Sequence, residues 1–151
     1  MNPPPSLHPT IVPSGQNPAI HAFGEEVVFH LTGEQTGGAF TQWVETTPPR
    51  AGPPPHWHTN EDEWFFVLEG RVSLLTDGVW HEAGLGAAGF MPKNSVHAFK
   101  NVGEVPLRML ITTAPLLQDA RTRDLSKASP IASRLASRGT VRSKLTTMAR
   151  H

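Results

Sequence analysis

Between residues 20 and 115 apolar side chains recur at every second position in short runs, and Gly, Pro, Asn or Asp breaks each run. That periodicity predicts strands at "EVVFHL", "AFTQWVE", "PHWH", "EWFFVLEG", "RVSLLTD", "VWHEA", "AGFMP", "VHAFKNV" and "LRMLITT". The turn signals "TGG", "TDG" and "PKN" lie between them. Many short strands at regular spacing predict an all-β sandwich or barrel rather than alternating β and α units. The flanks read differently. Residues 1–19 are proline-rich and polar, which predicts an extended arm. Residues 116–151 form a tail with one short helix signal, "SPIASRLASRG". There Ser129 is the N-cap, Pro130 the first helical residue and Gly139 the stop, with Ile131 and Leu135 on one face.

Side chains on a strand alternate between faces, so His56 and His58 of "PPPHWHTNEDEWFFVLEG" point the same way and Trp57 the other. Two imidazoles one strand step apart can chelate a single metal ion. "TNED" then reads as a polar turn, with Glu61 and Asp62 facing water and Glu63 opening the next strand. In that strand Glu63, Phe65 and Val67 share one face, and Trp64, Phe66 and Leu68 share the other. If the hairpin folds back, Glu63 comes near His56 and His58. The alternative is a surface hairpin with chance histidines, because His-x-His is by itself a weak signal.

Composition narrows the chemistry. Of the 151 residues, 13 are basic and 13 acidic, so the whole carries no net charge that would favour nucleic acid or membrane. The two signs are segregated, with eight Lys/Arg and two acids from Leu116 onward. These arginines are scattered and lack interleaved aromatics, so the tail reads as solvated, or as touching the acidic body or a neighbouring subunit, and not as a nucleic-acid site. There is no cysteine, which excludes disulfides, zinc–thiolate sites and thiol catalysis. No stretch has the length of a membrane span and the start lacks a signal-peptide apolar run, so the expected location is the cytoplasm.

A second stretch, "GAAGFMPKNSVHAFKN" (86–101), holds a turn followed by an alternating strand with His97 and Phe99 on one face. Together the two stretches resemble the paired motifs of the cupin superfamily. The first motif falls on His56, His58, Glu63 and Gly70, and the second on Gly86, Pro92, Asn94, His97 and Asn101. Two positions depart from it. Asn94 stands where the family has glycine, a mild change because Asn tolerates a left-handed turn, and the glycine expected at Arg50 is displaced to Gly52. The likeness covers roughly residues 20–115 and implies one double-stranded β-helix, or jelly-roll, barrel.

The resemblance further implies one divalent metal ion on His56, His58, Glu63 and His97. Three imidazoles and a carboxylate suit Fe, Mn or Ni, with Zn and Co as alternatives. Glu63 is also the catalytic candidate, a carboxylate able to leave the ion and take a substrate proton. Phe65, Phe99, Phe40 and Met109, with Met91, are candidate lining, against the plainer reading of barrel core. Gln42 is a candidate to orient the imidazoles or contact substrate. The stretch "TGEQTGGAFTQWVETTPPRAGPPPHWHTNEDEWFFVLEG" looks most like the quercetin dioxygenase group, which implies ring-opening dioxygenation of a phenolic, flavonol-like or dicarbonyl substrate. A non-oxidative cyclase, isomerase or hydrolase, or a ligand-binding module, are the alternatives. The absence of tyrosine disfavours cupin chemistries that use a tyrosine acid or base. A homodimer is expected, because Trp64, Phe66 and Leu68 need cover that a second copy supplies with help from the proline-rich arm; the chain's own second sheet is the other source of cover.

Overall fold

The computed structural model describes residues 7–22 and 24–115. The tail and its helix signal lie outside the described residues, among which nine strands and no helix are found. Consequently no helix there is long and apolar enough to cross a membrane. The strands are β1 (Ala19–Ala22), β2 (Glu25–Leu31), β3 (Thr41–Thr47), β4 (Glu61–Glu69), β5 (Arg71–Thr76), β6 (Val79–Gly84), β7 (Ala88–Met91), β8 (His97–Asn101) and β9 (Leu107–Pro115). One sheet runs β1-β2-β3-β9-β4-β7 and a smaller one β6-β5-β8, with every pair antiparallel. The all-β architecture expected from the alternation is therefore the one observed.

Register explains the core. Trp43, Ile111 and Phe65 stand opposite one another across β3, β9 and β4, and so do Glu45, Met109 and Val67 one step further along. Directly paired residues share a face, so these rows form the inner wall. Val72, Leu74 and Phe99 of the smaller sheet close over them. Met109 and Ile111 have no exposed surface. The "TDG" signal is a two-residue hairpin: Thr76 pairs with Val79, and Asp77 and Gly78 both have positive φ, the backbone that a tight turn between twisted strands requires.

Three expectations are corrected. "PHWH" is not a strand; only His56 makes a β-bridge, to His97. β1 carries little apolar periodicity and was not expected. Finally, the face bearing Trp64 and Phe66 is not covered by the smaller sheet. Trp64 and Phe66 are 39% and 42% exposed, and Trp64 stacks on exposed Phe90 at 5.1 Å.

Asn101, from the second motif, is a clamp and not a site residue. It is fully buried, and its Nδ2 donates to the carbonyls of Thr47 and Val105 while Oδ1 accepts from the Gly103 amide. Asn101→Ala strands these backbone groups and is expected to cost about 2 kcal/mol. Urea unfolding checks this, and an unchanged midpoint refutes it.

Candidate metal centre

Three separate pieces of chain bring the candidate ligands together. His56 follows Pro53–Pro55 and exchanges both backbone hydrogen bonds with His97, each 2.9 Å. That pairing places the two rings 4.5 Å apart. His58 is tied down two residues later, its carbonyl accepting from the Asn94 amide at 2.7 Å. Asn94 has φ 63, the left-handed conformation anticipated for the residue replacing glycine. Glu63 comes from β4, paired with Met91 on one side and Thr113 on the other.

The ligand atoms of His56, His58, Glu63 and His97 all lie within 4.8 Å of one another. Glu63 Oε2 is 3.0 Å from His97 Nε2 and 3.3 Å from His58 Nε2. Two donors at right angles, each about 2.1 Å from a common ion, would stand about 3 Å apart, so this spacing fits an ion. His58, Glu63 and His97 are buried, at 3%, 4% and 1% exposure, while His56 is half-buried and marks the accessible side.

Two of the rings are held by their other nitrogen. His56 Nδ1 lies 2.9 Å from the Pro54 carbonyl and His97 Nδ1 3.0 Å from that of Ser95. A carbonyl only accepts, so each Nδ1 carries the proton, which leaves Nε2 as the ring nitrogen turned inward. His58 Nδ1 lies 3.3 Å from Glu61 Oε1. The buried Nε2 of His56 and both ring nitrogens of His58 have no hydrogen-bond partner. Buried polar atoms are rarely left so, and inward ring nitrogens beside a carboxylate are what a divalent cation satisfies.

The electrostatics of His56 and Glu63 agree. Burial pushes the His56 imidazole below the usual histidine range, against a partial lift from the Pro54 carbonyl, and so keeps it neutral. Burial alone would lower His58 too, but Glu63 and Glu61 beside it outweigh this and raise it. Burial would raise Glu63, yet contact with His58 and His97 reverses the sign and holds it below the usual carboxylate range. Glu63 is thus ionised and His56 neutral at neutral pH, the protonation states that metal ligation requires.

The remaining candidates divide. Phe65 and Phe99 are buried against each other at 5.9 Å, with Phe65 6.2 Å from the His97 ring. Met91 and Met109 are buried in the core. Phe40 is half-buried in the turn before β3, outside the core cluster. Gln42 is not brought to the site. It pairs with Thr112, on the Trp64 side of the sheet, and donates to Thr112 Oγ1 at 3.1 Å.

Two carboxyls were misjudged or missed. Glu61 was expected to face water from a turn. It opens β4 instead, two residues before Glu63 on the same face, and is buried at 8% exposure beside His58. Asp62 faces the other way and accepts from the Lys93 amide. Glu45 was not singled out at all, although it shares its face with Trp43; it is buried at 7%. Because partners of this kind orient metal-binding histidines, Glu61→Gln is expected to weaken metal affinity about 10–100-fold. Competition with a chromophoric chelator measures this, and equal affinity would make Glu61 a bystander.

The Cupin domain family matches residues 43–113, a span holding all four converging groups. The barrel has the cupin fold. An uncharacterised protein of Methanocaldococcus jannaschii is 32% identical over 60 residues, covering 40% of this chain and 48% of that one. The chain thus spans about half the length of the relatives it matches in sequence. Among solved structures, KdgF from Halomonas sp. aligns with TM-score 0.62 and 15% identity over 70% of this chain and 94% of that one. A predicted oxalate decarboxylase from Thermotoga maritima aligns with TM-score 0.61 and 22% identity over 71% of this chain and all of that one. At such identities these likenesses establish the cupin fold alone.

Proposed function

We propose that this cupin is a metal-dependent oxygenase whose substrate, a phenolic, flavonol-like or dicarbonyl compound, binds at a 3-His/1-Glu centre and is opened by dioxygen. The observation that carries the metal reading is the set of inward, unpartnered Nε2 atoms beside Glu63. A bound divalent ion there would polarise the oxygen donors of a chelating substrate and, if redox-active, exchange electrons with it and with dioxygen.

The chain's own residues do the rest. His56, His58, His97 and Glu63 hold the ion, and Phe65 and Phe99 exclude water beside it. Glu63 Oε2 is the atom placed to accept a proton from an incoming hydroxyl. No lysine or arginine among the described residues is buried, which favours a neutral or weakly acidic substrate over a phosphorylated one. A non-oxidative reaction on the same ion is supported by one observation, a second buried carboxyl beside the ligands, Glu61, 3.3 Å from His58 Nδ1 and able to serve as an acid–base group.

Protein loaded separately with Fe, Mn, Ni or Zn, given flavonols, catechols and β-dicarbonyls in an oxygen electrode, tests the assignment. Oxygen uptake matched to product is expected with a redox-active ion. Turnover under nitrogen, with zinc sufficient, would transfer the assignment to the non-oxidative reaction. Metal-loaded protein that leaves oxygen untouched across the panel would end the oxygenase reading.

A further inference from the structure

Alternation turns Leu107, Met109, Ile111 and Thr113 of β9 inward. The first three pack in the core, but the stripe ends on a hydroxyl, that of Thr113, a residue only 4% exposed. Thr113 stands directly opposite Glu63 of β4 and Thr41 of β3, so one row runs Thr41, Thr113, Glu63, Met91 across four strands. Directly paired residues share a face, with their Cβ atoms about 5 Å apart. The Thr113 hydroxyl therefore flanks the carboxylate ligand, and Thr41, half-buried, follows one strand further on. The adjacent row, Trp43, Ile111 and Phe65, is apolar. Among the described residues no side-chain hydrogen bond satisfies the Thr113 hydroxyl. A buried hydroxyl without a partner is costly, and valine would serve the end of a core stripe better.

We propose that Thr113 is a substrate-contacting residue of the metal centre, its hydroxyl hydrogen-bonding an oxygen of the small molecule that does not itself meet the ion. The inference rests on the reading that a chelating small molecule binds at that centre, and it narrows the class of that molecule. A ligand lying along the row finds hydroxyls only on the β9 and β3 side of Glu63, because β7 presents Met91 on the other. The substrate then carries a third oxygen about one strand spacing, roughly 5 Å, from the pair that chelates. Its apolar body lies over Ile111 and Phe65. A threonine hydroxyl both donates and accepts, so the third oxygen is a carbonyl or a hydroxyl and needs no charge.

The test uses cobalt-loaded protein under nitrogen, its metal content measured first, and two chelating probes of similar size. One, 3,4-dihydroxyacetophenone, carries a third oxygen; the other, 4-ethylcatechol, does not. Thr113→Val keeps the shape and strand preference of threonine and removes the hydroxyl. It is expected to bind the acetophenone about tenfold more weakly than the parent and the ethyl compound equally well, while Thr113→Ser stays close to the parent with both. Because parent and variant are compared within each probe, any change in how the ion holds the catechol oxygens cancels. Without probe, Thr113→Val melts no lower than the parent, since no protein hydrogen bond is lost. If Thr113 is only a strand residue, Thr113→Val weakens both probes equally or neither, and that result overturns the proposal. A clear fall in its melting temperature would reveal a structural partner for the hydroxyl and overturn it too. Parent protein that holds cobalt but neither probe overturns the chelating-substrate reading as well, and failure to retain cobalt overturns the metal reading beneath both.

Discussion

Replacing His97 with alanine is expected to leave a folded chain that no longer retains a metal ion. His97 contributes the shortest contact to Glu63, 3.0 Å, and its ring is the only candidate ligand supplied by a regular strand of the smaller sheet. Loss of a direct ligand should exceed the 10–100-fold expected for an outer partner such as Glu61, so affinity falls by more than about 100-fold. A ligand at 100 times its Kd stabilises a fold by about 2.7 kcal/mol. The parent should therefore melt higher on metal addition and His97→Ala should not. Metal content by mass spectrometry after dialysis gives the independent reading, about one ion per parent chain and none in the variant. If His97→Ala keeps a full complement of metal, the ion sits elsewhere.

Gly52→Ala is expected to be the most damaging small substitution. A Cβ at this position would lie 2.1 Å from the Phe99 carbonyl oxygen and 3.0 Å from the Lys100 Cα, both backbone atoms. Neither can rotate aside, so either the loop before His56 or β8 must move. The expected cost is about 3 kcal/mol, a fall in Tm of roughly 10 °C or more. The damage should reach the site, because the neighbouring Ala51 carbonyl and Arg50 amide bond to Asn101 and set β8 against the loop that leads to His56. Metal affinity should fall together with stability. Melting within a few degrees of the parent would show that the loop relaxes without strain.

Much of this was legible in the chain. The faces of β4 followed from alternation alone: Glu63, Phe65 and Val67 are buried and Trp64 and Phe66 exposed. His56 and His58 converge as the His-x-His spacing suggested, although the segment is not a regular strand. β3 was harder. "TQWVETT" sets one large apolar residue on each face among polar ones, Trp43 with Glu45 and Val44 with Gln42, and threonines on both. Its pattern does not say which face is inside, so Gln42 was assigned to the site and Glu45 was passed over. Glu61 was misplaced for a related reason. Its acidic neighbours suggested a turn, and only the pairing of Glu61 with Pro115 extends β4 back far enough to bury it beside His58.

By itself the sequence determined the all-β class and the tight turn at Asp77–Gly78, because these depend on local backbone preference and on side chains that alternate along one strand; the four groups able to meet at an ion were reached through the resemblance of their two motifs to the cupin family. Tertiary structure alone decided which face of β3 turns inward, which atoms hold each imidazole, that Trp64 and Phe66 stay exposed, and that a carboxyl is buried at Glu45. These are properties of pairing and packing between segments far apart in the chain, where the free energy of burial depends on the partner strand and not on the residue's own neighbours.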